Sequence, residues 1–417
     1  MKRTLSAFVL ALSIHNAVGA VEKSGWPNWR GPNGDGTAAA GHYAVKWSET
    51  DKYGWSVKLA GRGASTPVVV GDRIIVTGVT DKTNVVQCFD LSGKSLWNIE
   101  TGEARAGKHK KATGSNSSPV SDGKLVVSYF KSGDLICTDL DGKTIWSLNL
   151  QQKFGEDTLW WDLGTSPVLT DNAVVIAVMQ SGPSFLLALD KSTGEKLWQA
   201  DRAMNAPEEA NHSYSTPIVT ELDGKQVLLT LGADHLTCHA AVDGKLLWKV
   251  GGFNPGGERF FRSIASPVLA GDLVVCPYSR GNTLTAVRLH AKSDEDRIAW
   301  KRTDLGSDVP TPTVSGGRLY VVGDRGVLNC LDVATGKTIW SEQLPKSRVA
   351  YSSAPIVAGG AVYVTREDAA TFVAKDSDKF ELLSENKVPG ETVATPVFVN
   401  DQVLVRTYDH LISIGSK

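Results

Sequence analysis

The sequence predicts an all-β protein, an eight-bladed β-propeller of four-stranded antiparallel blades, and three observations predict it. A landmark of Ser, Thr or Ala, then Pro, then usually an apolar residue occurs eight times, at Pro67, Pro119, Pro167, Pro217, Pro267, Pro312, Pro355 and Pro396. Its spacing of 41 to 52 residues is the period of propellers and solenoids. Between landmarks the chain writes one hairpin repeatedly, as in "FDLSGKSLW" (89–97), "TDLDGKTIW" (138–146) and "LDVATGKTIW" (331–340). Helical i, i+3, i+4 periodicity is absent, and short apolar runs alternate with Gly-containing turns.

The elements follow in order. Residues 1–20 read as a signal peptide: Lys2 and Arg3 precede a short apolar run from Leu5 to Ile14, and Val18-Gly19-Ala20 supplies small residues at a cleavage site. Cleavage after Ala20 and a periplasmic or secreted location are expected. No Cys lies near that site, so a lipoprotein is not expected. No later run is long and apolar enough to predict a transmembrane segment. Residues 21–46 form an extended lead-in; "GWPNWRGPNGDG" (25–36) is too rich in Pro, Gly and Asn for a regular helix, and its Trp26 and Trp29 are expected to cover apolar propeller surface. Residues 47–417 form the propeller.

Within a blade such as "SSPVSDGKLVVSYFKSGDLICTDLDGKTIW" (117–146), four short strands are linked by hairpin turns, the innermost after Pro and the outermost carrying Trp. Trp97, Trp146, Trp198, Trp248, Trp300 and Trp340 serve blades 1 to 6, each predicted to dock between neighbouring blades. Blade 7 lacks the Trp, and Leu383 stands near its expected place. Blade 8, "ATPVFVNDQVLVRTYDHLISIG" (394–415), lacks an outer strand, which would leave the ring with an open edge. Trp55 stands twelve residues before Pro67, as Trp300 stands twelve before Pro312. A strand at 55–59 is therefore expected to close the ring.

Composition excludes several classes. Basic and acidic residues balance at 44 and 45 with no Lys/Arg run, so nucleic acid is not an expected partner. Cys88, Cys137, Cys238 and Cys330 occupy one repeat slot, which holds Ala188 in blade 3; Cys276 lies in another apolar strand. A slot shared by Cys and Ala is small and buried, so five free thiols are expected. No spacing matches a zinc or haem motif, and no metal site is expected.

Loops carry the chemistry. From Trp to the next Pro the connections into blades 2 to 5 run 19 to 22 residues, against 12 to 15 into blades 1, 6 and 7. Long loops on a rigid scaffold are where function sits. They hold "KHKKATGSNSSP", "EDTLWWDLGTSP", "EEANHSYSTP" and "GGERFFRSIASP". Asn116, Trp161, Asp162, His212, Tyr214 and Arg262 precede their landmarks by three to six residues and are expected to ring one off-centre pocket in the top funnel. Aromatic faces beside Arg, Asn, His and Asp suit a small molecule or saccharide. Lys108, Lys110, Lys111 and Arg262 bias the expectation towards an anionic one. Packing roles stand beside these: one of Trp160 and Trp161 plugging the channel or packing between blades, and Arg259 and Arg262 pairing with acids. No catalytic order of residues is evident, so catalytic residues are not assigned.

With its Trp docking repeats, the chain resembles the PQQ-like propeller repeat family, the quinoprotein-alcohol-dehydrogenase-like fold. The stretch "WPNWRGPNGDG" followed by "WSVKL" resembles its exported branch beginning W-P-x-W-R-G-P. In that family's enzymes PQQ lies over a Trp floor with calcium, an Asp base and a disulfide of adjacent cysteines. This chain has no adjacent cysteines, and the calcium-binding Glu and Asn match no position. No cofactor is therefore expected, PQQ with calcium being the alternative. The expectation is a monomeric ligand-binding or protein-interaction scaffold acting through its top face, with a carbohydrate-active enzyme or a divergent PQQ-dependent dehydrogenase as the alternative. A scaffolding lipoprotein of outer-membrane assembly in the same family supports a protein partner.

Overall fold

A computed structural model describes residues 25–48 and 53–415. The signal-peptide expectation falls on residues outside these. Eight four-stranded antiparallel sheets stand in a ring. Blade 1 comprises Val68–Val70, Arg73–Val79, Thr83–Asp90 and Ser95–Glu103 from the axis outwards. Blades 2 to 7 repeat that order. Blade 8 takes three strands from the C-terminal end, Val397–Val399, Gln402–Arg406 and His410–Gly415. Its outer strand is Tyr53–Lys58, paired with His410–Gly415 so that Trp55 faces Ser413 and Lys58 faces His410. This is the closing strand expected around Trp55, beginning two residues earlier.

The hairpin is repeated because it is a socket. Six of the seven outer-strand Trp reach into the next blade's hairpin turn and donate the indole N–H to a backbone carbonyl. Trp55 bonds Leu91 O at 2.9 Å, Trp97 bonds Leu140 O at 3.0 Å and Trp146 bonds Lys191 O at 2.8 Å. Trp198, Trp300 and Trp340 do the same to Ala241, Val333 and Ser377. The turn glycine lies beneath the ring: at Gly93 a Cβ would stand 2.6 Å from the Trp55 indole, and φ is +84°. Glycine is needed there for both space and conformation. Opposite each Trp across the sheet sits the small slot, Cys88 facing Trp97 and Ala188 facing Trp198. All five cysteines are free and buried.

Two docking sites differ. Trp248 makes no carbonyl bond; the Arg297 guanidinium lies over its ring at 4.2 Å instead. In blade 7 the Trp register is held by Ser384, which faces Val373, and not by Leu383, which is exposed. Val45 of the lead-in, which accepts from Ser384 and Asn386, and the Trp47 that follows it fill that gap. Trp47 stacks on Tyr363 with ring centroids 6.5 Å apart, and its backbone N–H bonds Asn386 Oδ1 at 2.8 Å.

At the axis, the Ser or Thr before each Pro does a second job. Its hydroxyl accepts the backbone N–H of the corresponding residue one blade earlier. Thr66 N donates to Ser118 Oγ, Ser118 N to Ser166 Oγ, Ser166 N to Thr216 Oγ1, Thr216 N to Ser266 Oγ and Ser266 N to Thr311 Oγ1, all at 2.9 to 3.0 Å. Ala354 N bonds Thr395 Oγ1 at 3.3 Å, and Thr395 N closes the circle on Thr66 Oγ1 at 3.2 Å. One link is missing, because Ala354 has no hydroxyl to offer Thr311.

Below this ring the lead-in crosses the bottom face. Trp26 is fully buried, bridges Val69 and packs near Phe398, as expected of a covering residue. Trp29 differs: it lies on the axis, between the cavity above and the cleft below. Arg30 is buried beside it and donates to the carbonyls of Asp35 and Pro312. Burial lowers its pKa to about 10. The channel is thus closed from beneath by the chain's own N-terminal segment.

Candidate functional site: the top funnel

Above the hydroxyl ring lies a cavity of about 390 Å³ with Trp29 in its lining. Five of the six residues singled out from sequence line it: Asn116, Trp161, Asp162, Tyr214 and Arg262. They meet because each sits at the inner end of a connection running from rim to axis. His212 does not line the cavity. It is fully buried behind it, with Nε2 2.9 Å from Ser181 Oγ and the Trp160 ring edge-on at 5.4 Å. Burial lowers its pKa.

Asp162 is 5 % exposed. Its Oδ2 accepts from Gly114 N at 3.1 Å and its Oδ1 from Leu163 N at 2.6 Å. Desolvation outweighs those bonds and pushes its pKa up to about 6. Asn116 braces its own loop, accepting from Thr113 Oγ1 at 2.7 Å and donating to Lys111 O at 3.2 Å. Burial raises the Tyr214 phenol.

The expected positive bias is offset by acids. Arg262 Nη2 donates to Asp308 Oδ2 at 3.2 Å, and its Nε lies 3.4 Å from Glu209 Oε1. Trp161 Nε1 donates to the same Glu209 oxygen at 2.7 Å. Glu209 therefore ties the loops of blades 3, 4 and 5 together. Lys111 pairs with Glu367, and Arg259 with Glu208. Burial raises Asp308, and burial followed by the Asp308 charge raises Asp324.

Sequence reading missed Glu209, Trp29 and Arg280. Glu209 stood in the quoted "EEANHSYSTP", but chain order cannot show which acid of that loop turns inward. Arg280 projects from a hairpin turn, with φ +54°, into the funnel lining. On the rim, Trp160, Trp161 and Phe260 are 43 %, 41 % and 48 % exposed. Neither Trp is a buried channel plug; each ring stays part-exposed while it packs against loops of neighbouring blades. Trp160 lies 6.4 Å from Phe260, and His109 stands edge-on to Trp161 at 5.5 Å.

Fold and funnel define an eight-bladed, PQQ-like propeller with a loop-built cavity on one face and a self-plugged opposite face. The chain belongs to the family whose model is described as outer membrane protein assembly factor BamB, matched over residues 36–201, 185–291 and 288–381. Curated relatives of that name from Marinobacter adhaerens and Moranella endobia are 28 % identical over 98 residues and 29 % over 109. Each match takes in 24 % of this chain, and 24 % and 28 % of those proteins, so the chain spans about a quarter of their length. BamB from Moraxella catarrhalis superposes with a TM-score of 0.63 at 15 % identity, covering 86 % of this chain and 98 % of that one. Quinohemoprotein alcohol dehydrogenase from Comamonas testosteroni superposes with a TM-score of 0.71 at 13 % identity, covering 96 % and 82 %. These likenesses show the fold.

Proposed function

We propose that the protein is an exported, periplasmic or secreted scaffold that holds another protein through its top face. One observation carries this reading: Trp160, Trp161 and Phe260 stand exposed together on loops that buried bonds hold rigid. Soluble surfaces seldom display three large aromatics side by side, and Trp beside Arg is the composition of an interface hot spot. Membership of a family described as an assembly factor supports it. The test is photo-crosslinking in the native host, with a photoreactive residue at position 160 and, as control, at Leu247 on an outer strand. A discrete adduct from 160 that disappears with Phe260→Ala is the expected result. Equal adducts from 247 would refute a top-face contact.

A second reading, a small molecule or saccharide in the funnel, is favoured by the five lining residues that share one cavity. Calorimetry with acidic and neutral oligosaccharides would detect it. Binding lost in an Arg262→Ala, Trp161→Ala double mutant supports it; undiminished binding refutes it.

The residues present do not fit the calcium–PQQ arrangement that the resemblance implies. Among the described residues no three His, Cys, Asp or Glu side chains are placed to hold a cation. No cysteine lines the funnel. PQQ carries several carboxylates, whereas Arg262 and Lys111 already face acids. No catalytic step through the quinone is therefore assigned.

A further inference from the structure

The lead-in does not merely lie on the bottom face; it pairs with it, always at the same place. Two residues after the landmark Pro, each innermost strand turns a backbone N–H and C=O towards the axis. In blade 1, Val69 exchanges two bonds with Trp26, at 2.7 and 2.9 Å. In blade 2, Ser121 N donates to Pro27 O at 2.9 Å. In blade 6, Val314 N approaches Asp35 O at 3.5 Å. In blade 7, Val357 N donates to Gly36 O at 3.0 Å and Val357 O accepts from Ala38 N at 2.9 Å. The equivalent residue of blade 8, Phe398, lies near Trp26 and Tyr43.

Between Pro27 and Asp35 the lead-in cuts straight across the axis instead of following the rim. The arc it leaves is blades 3, 4 and 5. There the equivalent residues are Leu169, Val219 and Leu269, and they keep the register of Val69: Val69 faces Ile74, as Leu169 faces Val174, Val219 faces Leu228 and Leu269 faces Val274. Among the described residues, no backbone group outside their own sheets bonds these three positions. All three line one cleft of about 540 Å³, whose opposite wall is Pro27 to Gly34. An innermost strand with free backbone groups is a template for a further strand.

We propose that this cleft binds an extended, uncharged peptide segment of a partner protein, which pairs its backbone with the inner edges of blades 3, 4 and 5 at Leu169, Val219 and Leu269. The occupant is extended because only an extended chain presents N–H and C=O at strand spacing. It is uncharged because the lining sets opposite charges against one another: Asp122 and Lys191 are mutually engaged at 2.9 Å, and Arg30 and Asp171 add one charge of each sign. Leu169, Ile218, Val219 and Leu269 present apolar surface to its side chains. The lead-in supplies the pattern: the same edge position, occupied by the chain itself in four blades, continues unoccupied through three. This inference is independent of the top-face reading.

The probe is a fluorescein-labelled seven-residue peptide of alternating threonine and valine, titrated by anisotropy into the full chain. Hydrogen exchange is followed with and without the peptide. Saturable binding is expected, with slower exchange at 168–170, 218–220 and 268–270 and none at Val69, Ser121 or Val357. Methylating two alternate peptide nitrogens removes edge bonds and is expected to weaken binding about tenfold or more. Val219→Arg fills the cleft and should abolish binding at an unchanged melting temperature; Leu269→Arg serves if that variant does not fold. The proposal is overturned if no saturable binding occurs, or if binding survives N-methylation or the arginine variant. It is equally overturned if the amides of Leu169, Val219 and Leu269 exchange as slowly as Val69 in the peptide-free protein. A Trp160→Ala, Phe260→Ala variant should bind the peptide normally, which separates this test from that of the top face.

Discussion

Replacing Asp162 by asparagine should change how stability depends on pH, and the size of the change follows from its surroundings. Its carboxyl is buried and accepts two backbone N–H bonds, yet desolvation holds its folded pKa at about 6. An unfolded Asp titrates near 3.9. A folded pKa raised above the unfolded value means stability that is fully present below about pH 4 and lost as pH rises to about 6. At roughly 1.36 kcal/mol for each step in pKa, about 3 kcal/mol disappears across that window and the loss is then constant. The amide that replaces the carboxyl cannot ionise, so the Asp162→Asn variant lacks this slope. Any fixed cost of disturbing the bonds from Gly114 and Leu163 offsets the variant's whole curve and leaves its shape alone. The assay is urea unfolding of both proteins from pH 4 to pH 8, read as the difference between their curves. A carbon-13 carboxyl titration of Asp162 gives the pKa directly. A flat difference curve, or a carboxyl titrating near 4, would refute the reasoning that burial dominates this site.

Other outcomes follow from features of the ring. Ser166→Ala leaves the buried Ser118 N–H without its acceptor and should cost about 1–3 kcal/mol, whereas Ala354→Ser supplies the missing link to Thr311 and should stabilise by about 1 kcal/mol, both read by urea unfolding. Deleting residues 21–60 removes the closing strand and the plug, and should lower the melting temperature and promote association; a monomer with unchanged melting would refute the closure role. Burial pushes Cys88, Cys137, Cys238 and Cys330 up to about 12, so the native protein should resist alkylation at pH 8, while the unreduced, denatured chain should show five alkylated thiols by mass spectrometry.

The ring was legible because its rules are local and repeated. Pro, Gly and Trp at fixed offsets announce strand, turn and socket, and the twelve-residue step from Trp55 to Pro67 announced closure. In blade 7 spacing points only near the Trp slot, at Leu383, because Leu383 and Ser384 both suit an outer strand and only pairing with Val373 decides between them. Five funnel residues were found because landmark spacing measures distance to the axis. His212 was misplaced because spacing does not say which way a side chain turns. Glu209 and Trp29 were missed because their roles arise between distant segments: Glu209 acts through Trp161 and Arg262, and Trp29 reaches the axis only when the lead-in doubles beneath the ring.

The closing strand also dictates an order of events during synthesis. Tyr53–Lys58 leaves the ribosome before every other strand of the ring, yet its partner, His410–Gly415, leaves after all of them. Until then Trp55 has no sheet, and Trp26 to Ala38 cannot span blades 1, 2, 6 and 7 because the later two do not yet exist. Blades 1 to 7 contain all their own strands and can assemble as they emerge. Closure must bring the first and last strands of the ring together, a distant contact of the kind that slows folding. A chain truncated before Val397 would therefore lose more than three strands of blade 8: it would leave Tyr53–Lys58 without a partner as well, and the ring incomplete with two open edges.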